Sequence, residues 1–293
     1  MRMKNSTRFP AFWPSLLRRC LCLCLLVAAW PSAFASDLMV TPTRIVFGER
    51  DRSAEVHVVN RGTQPATFRI EFVQMRMDES GAMAEIETPN DKELFADPLV
   101  RYSPRQVELA PGEGQSVRLL LRKPEGLASG EYRSHLLFYA VPDADSGNDI
   151  ERELAADPKT FSVQIRAIYR ISIPVIVRHG ELPVSFSMPE LSVQRLAGDK
   201  GLPQLHLRVD REGRRSVYGD IDVYYRAATG GVAQLIHHAK DFVLYTSTDT
   251  RVIDTALNIP DGLIQTGGEI HAVYSETADE GRRVLAERRI VVP

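Results

Sequence analysis

The sequence predicts an all-β protein built as two antiparallel β-sandwiches in tandem. Three observations predict it. Apolar and polar residues alternate with a period of two in short runs from Leu38 to Val292. Clusters rich in Gly, Pro, Asn and Asp separate those runs, and no amphipathic helical pattern of useful length interrupts them. Behind a predicted leader 258 residues remain, enough for one or two cores.

The leader is residues 1–35. Arg2, Lys4, Arg8, Arg18 and Arg19 make a positive start, Cys20–Trp30 (CLCLCLLVAAW) a short apolar run, and Ala33-Phe34-Ala35 an A-x-A cleavage site. That is the pattern of a secretory signal peptide cut before Ser36, and its apolar run is too short to span a bilayer. No later stretch is long and apolar enough to do so, and the mature chain is expected to be soluble and exported. All three cysteines (Cys20, Cys22, Cys24) fall in the leader, so no disulfide, thiolate metal site or cysteine nucleophile is expected beyond it. Without the leader's five positive charges, 31 basic residues face 38 acidic ones, a net of −7. Such a balance lacks the basic footprint of general nucleic-acid binding.

The first sandwich is read from Leu38–Phe47, a strand carrying a proline and so an edge. Ser53–Asn60 follows and ends in the turn Asn60-Arg61-Gly62-Thr63. Pro65–Met75 is the next strand, with Asp78-Glu79-Ser80-Gly81 as a hairpin tip. Glu85–Pro98 is polar and irregular. Tyr102–Leu109 runs into the turn Ala110–Gly114, and the strands Gln115–Arg122 and Gly130–Val141 complete an immunoglobulin-like pattern. After a break at Arg178–Pro183 the reading is again all β. Its strands are Leu202–Val209, Ser216–Ala227, Gly231–His237, Thr250–Asn258, Glu269–Ser275 and Arg282–Val292. The expected domains are therefore 36–178 and 179–293.

One stretch is out of proportion. Thr160–Arg178 (TFSVQIRAIYRISIPVIVR) follows the acidic loop Pro142–Pro158 and is long for a strand, since strands usually run to about 3–10 residues. Phe161, Val163, Ile165, Ala167, Tyr169, Ile171 and Ile173 share one parity. Ser162, Gln164, Arg166, Ile168, Arg170 and Ser172 share the other. It reads either as an ordinary half-buried strand or as a strand offered to a partner's sheet.

Catalytic patterns are absent. There is no G-x-S-x-G elbow, no H-E-x-x-H and no phosphate loop, and the seven histidines are scattered. His237 and His238 are adjacent and point to opposite faces of a strand, which is poor geometry for one metal ion. Asp143–Asp149 has the flavour of a calcium loop, but its glycine comes one position early and Leu154 stands where a glutamate is needed. No enzyme, no cofactor and no metal site are expected.

Several segments, taken in order, resemble the periplasmic pilus chaperones of the chaperone–usher pathway. They are Thr43-Arg44-Ile45-Val46-Phe47, Val59-Asn60-Arg61-Gly62, Leu109-Ala110-Pro111-Gly112 with Ser116-Val117-Arg118-Leu119, Gly130–Leu136, and Ile173-Pro174-Val175. The GEYRSHL and IPV elements look more like the alternative, non-classical branch. The resemblance covers most of the first domain and is faint after Gly180. It implies two immunoglobulin-like sandwiches with a cleft between them, and a periplasmic protein that caps fimbrial or pilus subunits and hands them to an outer-membrane usher. Capping would work by donor-strand complementation, a form of β-strand addition. By the family's logic Phe161, Val163 and Ile165 fill the subunit's open groove. Arg44 and Arg170, with Arg166 as the alternative register for the second, hold its terminal carboxylate. The resemblance implies no nucleic-acid partner and no membrane insertion, and it leaves open whether the free chain caps itself as a dimer. A secreted adhesion or carbohydrate-binding module is the rival reading of the same strands.

Overall fold

The computed structural model describes residues 38–141, 169–194, 202–278 and 281–293, and these form two β-sandwiches. In the first, β1 (Leu38–Thr41), β3 (Ser53–Asn60), β9 (Gly114–Leu121) and β7 (Val100–Ser103) make a four-stranded sheet in the order β1-β3-β9-β7. It faces a five-stranded sheet, β2-β11-β10-β4-β8, of Ile45–Phe47, Arg170–His179, Gly130–Ala140, Ala66–Val73 and Gln106–Leu109. The remaining pair, β5 (Met75–Met77) and β6 (Met83–Glu85), forms a separate hairpin.

Period-two alternation explains the core. Val56 and Val58 of β3 and Val117 and Leu119 of β9 are fully buried and meet Phe68, Ile70, Leu136, Phe138, Val175 and Val177 from the opposite sheet. Asn60 is buried with its polar atoms used. Its Nδ2 donates to the Leu109 and Gln64 carbonyls at 2.9 and 2.8 Å, and its Oδ1 accepts from the Gly62 N–H. That side chain ties the two turns together.

Two of the expected strands are divided in the structure at a proline. Leu38–Phe47 becomes β1, which pairs with β3, and β2, which crosses to the other sheet and pairs in parallel with β11. Tyr102–Leu109 becomes part of β7, on β9, and β8, on β4. Pro42 and Pro104 have no N–H to give a ladder, so the chain leaves one sheet there and joins the other.

The second sandwich packs β12-β13-β16 (Val184–Gln194, Gln204–Gly213, Thr250–Ala256) against β15-β14-β17-β18 (Gln234–Leu244, Val217–Arg226, Glu269–Ala278, Gly281–Val291). Leu205, Leu207, Val209, Ile221, Val223, Leu244 and Tyr274 fill it. Strand β12 has no counterpart among the expected strands. Its sequence VSFSMPELSVQ is half polar, and a register shift between Ser187 and Glu190 spoils its alternation.

A third, smaller core joins the two. Met77 and Ile176, with Met83, pack against Val243 and Tyr245, with Tyr218. The β5–β6 hairpin adds two hydrogen bonds across the junction. Thr248 Oγ1 donates to the Met77 carbonyl at 2.7 Å, and the Val252 N–H donates to the Glu79 carbonyl at 2.8 Å. Strand β10 is consequently buried on both faces. Among the described residues no helix is long and apolar enough to cross a membrane.

Candidate subunit-binding site

Strand β11 is where the candidate site is built. One of its edges is paired with β10 along its whole length, Arg170 opposite Tyr139 and His179 opposite Gly130. On the other edge, among the described residues, only Val175–Val177 find a partner, in β2. Among the described residues Arg170–Pro174 therefore form an open sheet edge, a ready template for another strand. The side chains there are not free. Ile173, Val175 and Val177 lie in this chain's own first core, with Ile171 packed against it. The expectation that the long run offers its apolar parity to a partner is corrected for this part: the sandwich needs those residues to close its own core. Phe161, Val163 and Ile165, and Arg166 with them, lie outside the described residues.

Arg44 immediately precedes β2. Its guanidinium carbon lies 4.2 Å from the ring centre of Tyr218, and its Nη1 is 3.8 Å from the Asp241 carboxylate, both in the second sandwich. The side chain stays 43% exposed, so its donors remain within reach of another molecule. Arg170 opens β11. It stands 3.8 Å from the Glu85 carboxylate and 5.7 Å from the Tyr139 ring centre. The register sets Ile45 beside Val175, which puts Arg44 level with Pro174. Four residues, about 13 Å of strand, separate that level from Arg170. The structure does not bring the two arginines together.

What it does bring together is a polar network under the second sandwich that the alternation does not single out. Glu131, Arg133 and His135 lie on the outer face of β10, which in an isolated sheet would be wet. The Glu131 carboxylate is fully buried. It accepts from Arg178 Nε at 3.1 Å, from the Ser216 N–H at 3.1 Å and from the Ser216 hydroxyl, while Arg178 Nη2 donates to the Ser216 carbonyl at 2.9 Å. Arg133 sits 3.7 Å over the Tyr245 ring and donates to the Met75 carbonyl and Ser247 hydroxyl, both at 3.1 Å. Tyr245 and Tyr218 share a hydroxyl–hydroxyl bond of 2.7 Å. Burial lowers the Arg133 guanidinium below its ordinary pKa and raises both tyrosines above theirs. Burial, assisted by the charge of Arg133, holds His135 down at about 3. The one available signal was the Glu-x-Arg-x-His spacing, three charged or titratable side chains on one parity of an apolar strand.

Chemically the arrangement suits association rather than turnover. An open edge offers backbone N–H and C=O groups, and an exposed guanidinium on an aromatic shelf offers a fork to a carboxylate. Among the described residues no group of three or more His, Cys, Asp and Glu side chains could hold a metal ion.

Residues 37–181 match the family model for the pili and flagellar-assembly chaperone, PapD N-terminal domain. No curated protein matches the chain. Among solved structures it is similar to the Pseudomonas aeruginosa CupB2 chaperone, at 12% identity and a TM-score of 0.43 over 87% of this chain and 100% of that one. It is also similar to a chain of a chaperone–tip adhesin complex of CFA/I fimbriae biogenesis, at 15% identity and a TM-score of 0.43 over 88% and 99%. A third likeness is to the CsuC–CsuE chaperone–tip adhesion subunit pre-assembly complex of Acinetobacter baumannii, at 13% and 0.37 over 87% and 97%. Through the domain at residues 37–181, the chain belongs to the pilus-assembly chaperone family.

Proposed function

We propose that this protein is a periplasmic chaperone, exported by its cleaved leader, that captures a fimbrial or pilus subunit by lending it a strand and delivers it to an outer-membrane usher. The half-paired edge of β11 carries the reading. A sandwich that lacks one strand exposes an apolar groove and unpaired edges, and both promote aggregation. Arg170–Pro174 present a complementary edge, and in this reading the sequence ahead of it supplies Phe161, Val163 and Ile165. Those three side chains fill the groove, each worth about 1.5–3 kcal/mol when buried, against the cost of ordering the strand.

Arg44 takes the subunit's terminal carboxylate. Arg170, standing apart from it, meets the subunit at the start of the open edge rather than sharing that carboxylate. No group in this scheme forms or breaks a covalent bond, and the protein acts without enzymatic turnover.

Co-purification from periplasmic extracts tests the reading. The wild-type chain is expected to carry a fimbrial subunit, and Arg44→Ala with Arg170→Ala to lose it while remaining folded. Equal subunit yield from the double variant, or glycan binding by the purified chain without any subunit, would overturn it.

A further inference from the structure

The second sandwich does more at Arg44 than border it. Two of its residues act on the guanidinium from different directions, and each is held by structure of its own. Tyr218 supplies the face. Its ring lies edge-on to Tyr245, centres 5.9 Å apart, and their hydroxyls are bonded. Tyr245 is in turn covered by Arg133. Tyr218 is thus clamped, and a clamped ring limits the planes that Arg44 can adopt.

Asp241 supplies the charge. It lies where β15 bulges against β14: Gly219 pairs with Phe242 and Ile221 with Ala239, so one strand carries an extra residue. Asp241 has a φ of 53°, the only positive value for a non-glycine residue among those described, and its N–H donates to the Asp220 carboxylate at 3.0 Å. A bulge with a residue in this region re-aims a side chain. Here it places a carboxylate within ion-pair reach of Arg44.

We infer that the second sandwich poises Arg44 for an incoming carboxylate, Tyr218 fixing the plane of the guanidinium and Asp241 standing in for the subunit's terminal carboxylate until that group displaces it. The inference rests on the reading of Arg44 given above. The long 3.8 Å separation and the exposure of both partners suit a placeholder. An exposed pair of this kind is weak and exchanges readily, whereas a short buried one would not release the arginine. Tyr218 and Asp241 are positioning residues, and the group that touches the subunit is Arg44.

The test compares two synthetic strand peptides of alternating valine and threonine, one ending in a free carboxylate and one amidated, titrated into the mature chain by fluorescence anisotropy. The readout is the ratio of their affinities, which a general loss of packing leaves unmoved. Wild type is expected to prefer the free acid, and Arg44→Ala to bring the ratio to one. Asp241→Asn should raise the ratio about two- to fivefold by removing the competing charge. Tyr218→Leu should lower it about two- to fivefold, while Tyr218→Phe, which keeps the ring, stays near wild type. Should Tyr218→Leu fail to fold by circular dichroism, the exposed Asp241→Asn arm still decides the matter. An unchanged or lower ratio in Asp241→Asn overturns the placeholder while leaving the Arg44 reading standing. A wild-type ratio of one overturns both.

Discussion

Two ion pairs at the junction of the sandwiches are opposites: Glu131–Arg178 joins neighbouring strands of the first sandwich and reaches the second through Ser216, whereas Arg44–Asp241 crosses from one sandwich to the other. Glu131–Arg178 is short, its carboxylate is sealed from solvent, and its remaining lone pairs are taken by Ser216. Arg44–Asp241 is 3.8 Å long, and both side chains are exposed, Asp241 more than Arg44. A buried charge whose partners are all supplied by the fold is committed to the fold, because removing one leaves the other stranded. An exposed pair costs little to part, so its arginine can serve another molecule. The junction separates the two duties in space: the buried pair holds the second sandwich through Ser216, while the other remains exchangeable beside the open edge of β11.

The largest effect is expected at the fastened end. Glu131→Ala leaves Arg178 without its carboxylate and should cost about 3–5 kcal/mol in urea unfolding. A loss below about 1 kcal/mol would show that the pair contributes no more than a surface one. His135 on the same face comes next. Its pKa is about 3 in the folded chain and its ordinary value is 6.5. Below pH 6.5 the unfolded chain therefore takes up a proton that the folded one refuses. Stability falls as the pH drops from 6.5 towards 3 and is unaffected by this group above that range. At pH 5.5 the loss is about 1.4 kcal/mol. His135→Gln should flatten the difference between pH 7.5 and 5.5 by that amount, and an unchanged slope would place the acid sensitivity elsewhere. The smallest change belongs to the exposed pair. Arg44→Ala should shift unfolding by less than about 1 kcal/mol while abolishing subunit capture. A large destabilisation would make Arg44 part of the lock and erase the contrast.

The same contrast explains what could be read from the sequence. Strands came through wherever one face is apolar and the other wet, as in Ser53–Asn60, where the expected and observed bounds coincide. Alternation fails for β12, whose exposed, bulged course leaves no clean period. The sheet changes at Pro42 and Pro104 were missed too, although the buried positions switch parity there, from Leu38 and Val40 to Ile45 and Phe47 and from Val100 to Val107 and Leu109. Arg44 was singled out through its Thr-Arg-Ile-Val-Phe setting. The Glu131–Arg178–Ser216 network was not. Its members are 38 to 85 positions apart, and charged residues in a strand ordinarily mark a solvent face. Only the second sandwich, resting on that face, makes them interior. Tyr218 and Asp241 were missed for the same reason, because their importance comes from proximity to Arg44 across the junction.

Amide hydrogen exchange along β11, with and without a bound subunit, tests the central claim most directly. Residues 170–173 should gain protection when the subunit adds its strand, while Val175–Val177, already held between β2 and β10, should change little. Unaltered exchange at 170–173 in a complex that is demonstrably formed would contradict capture along this edge.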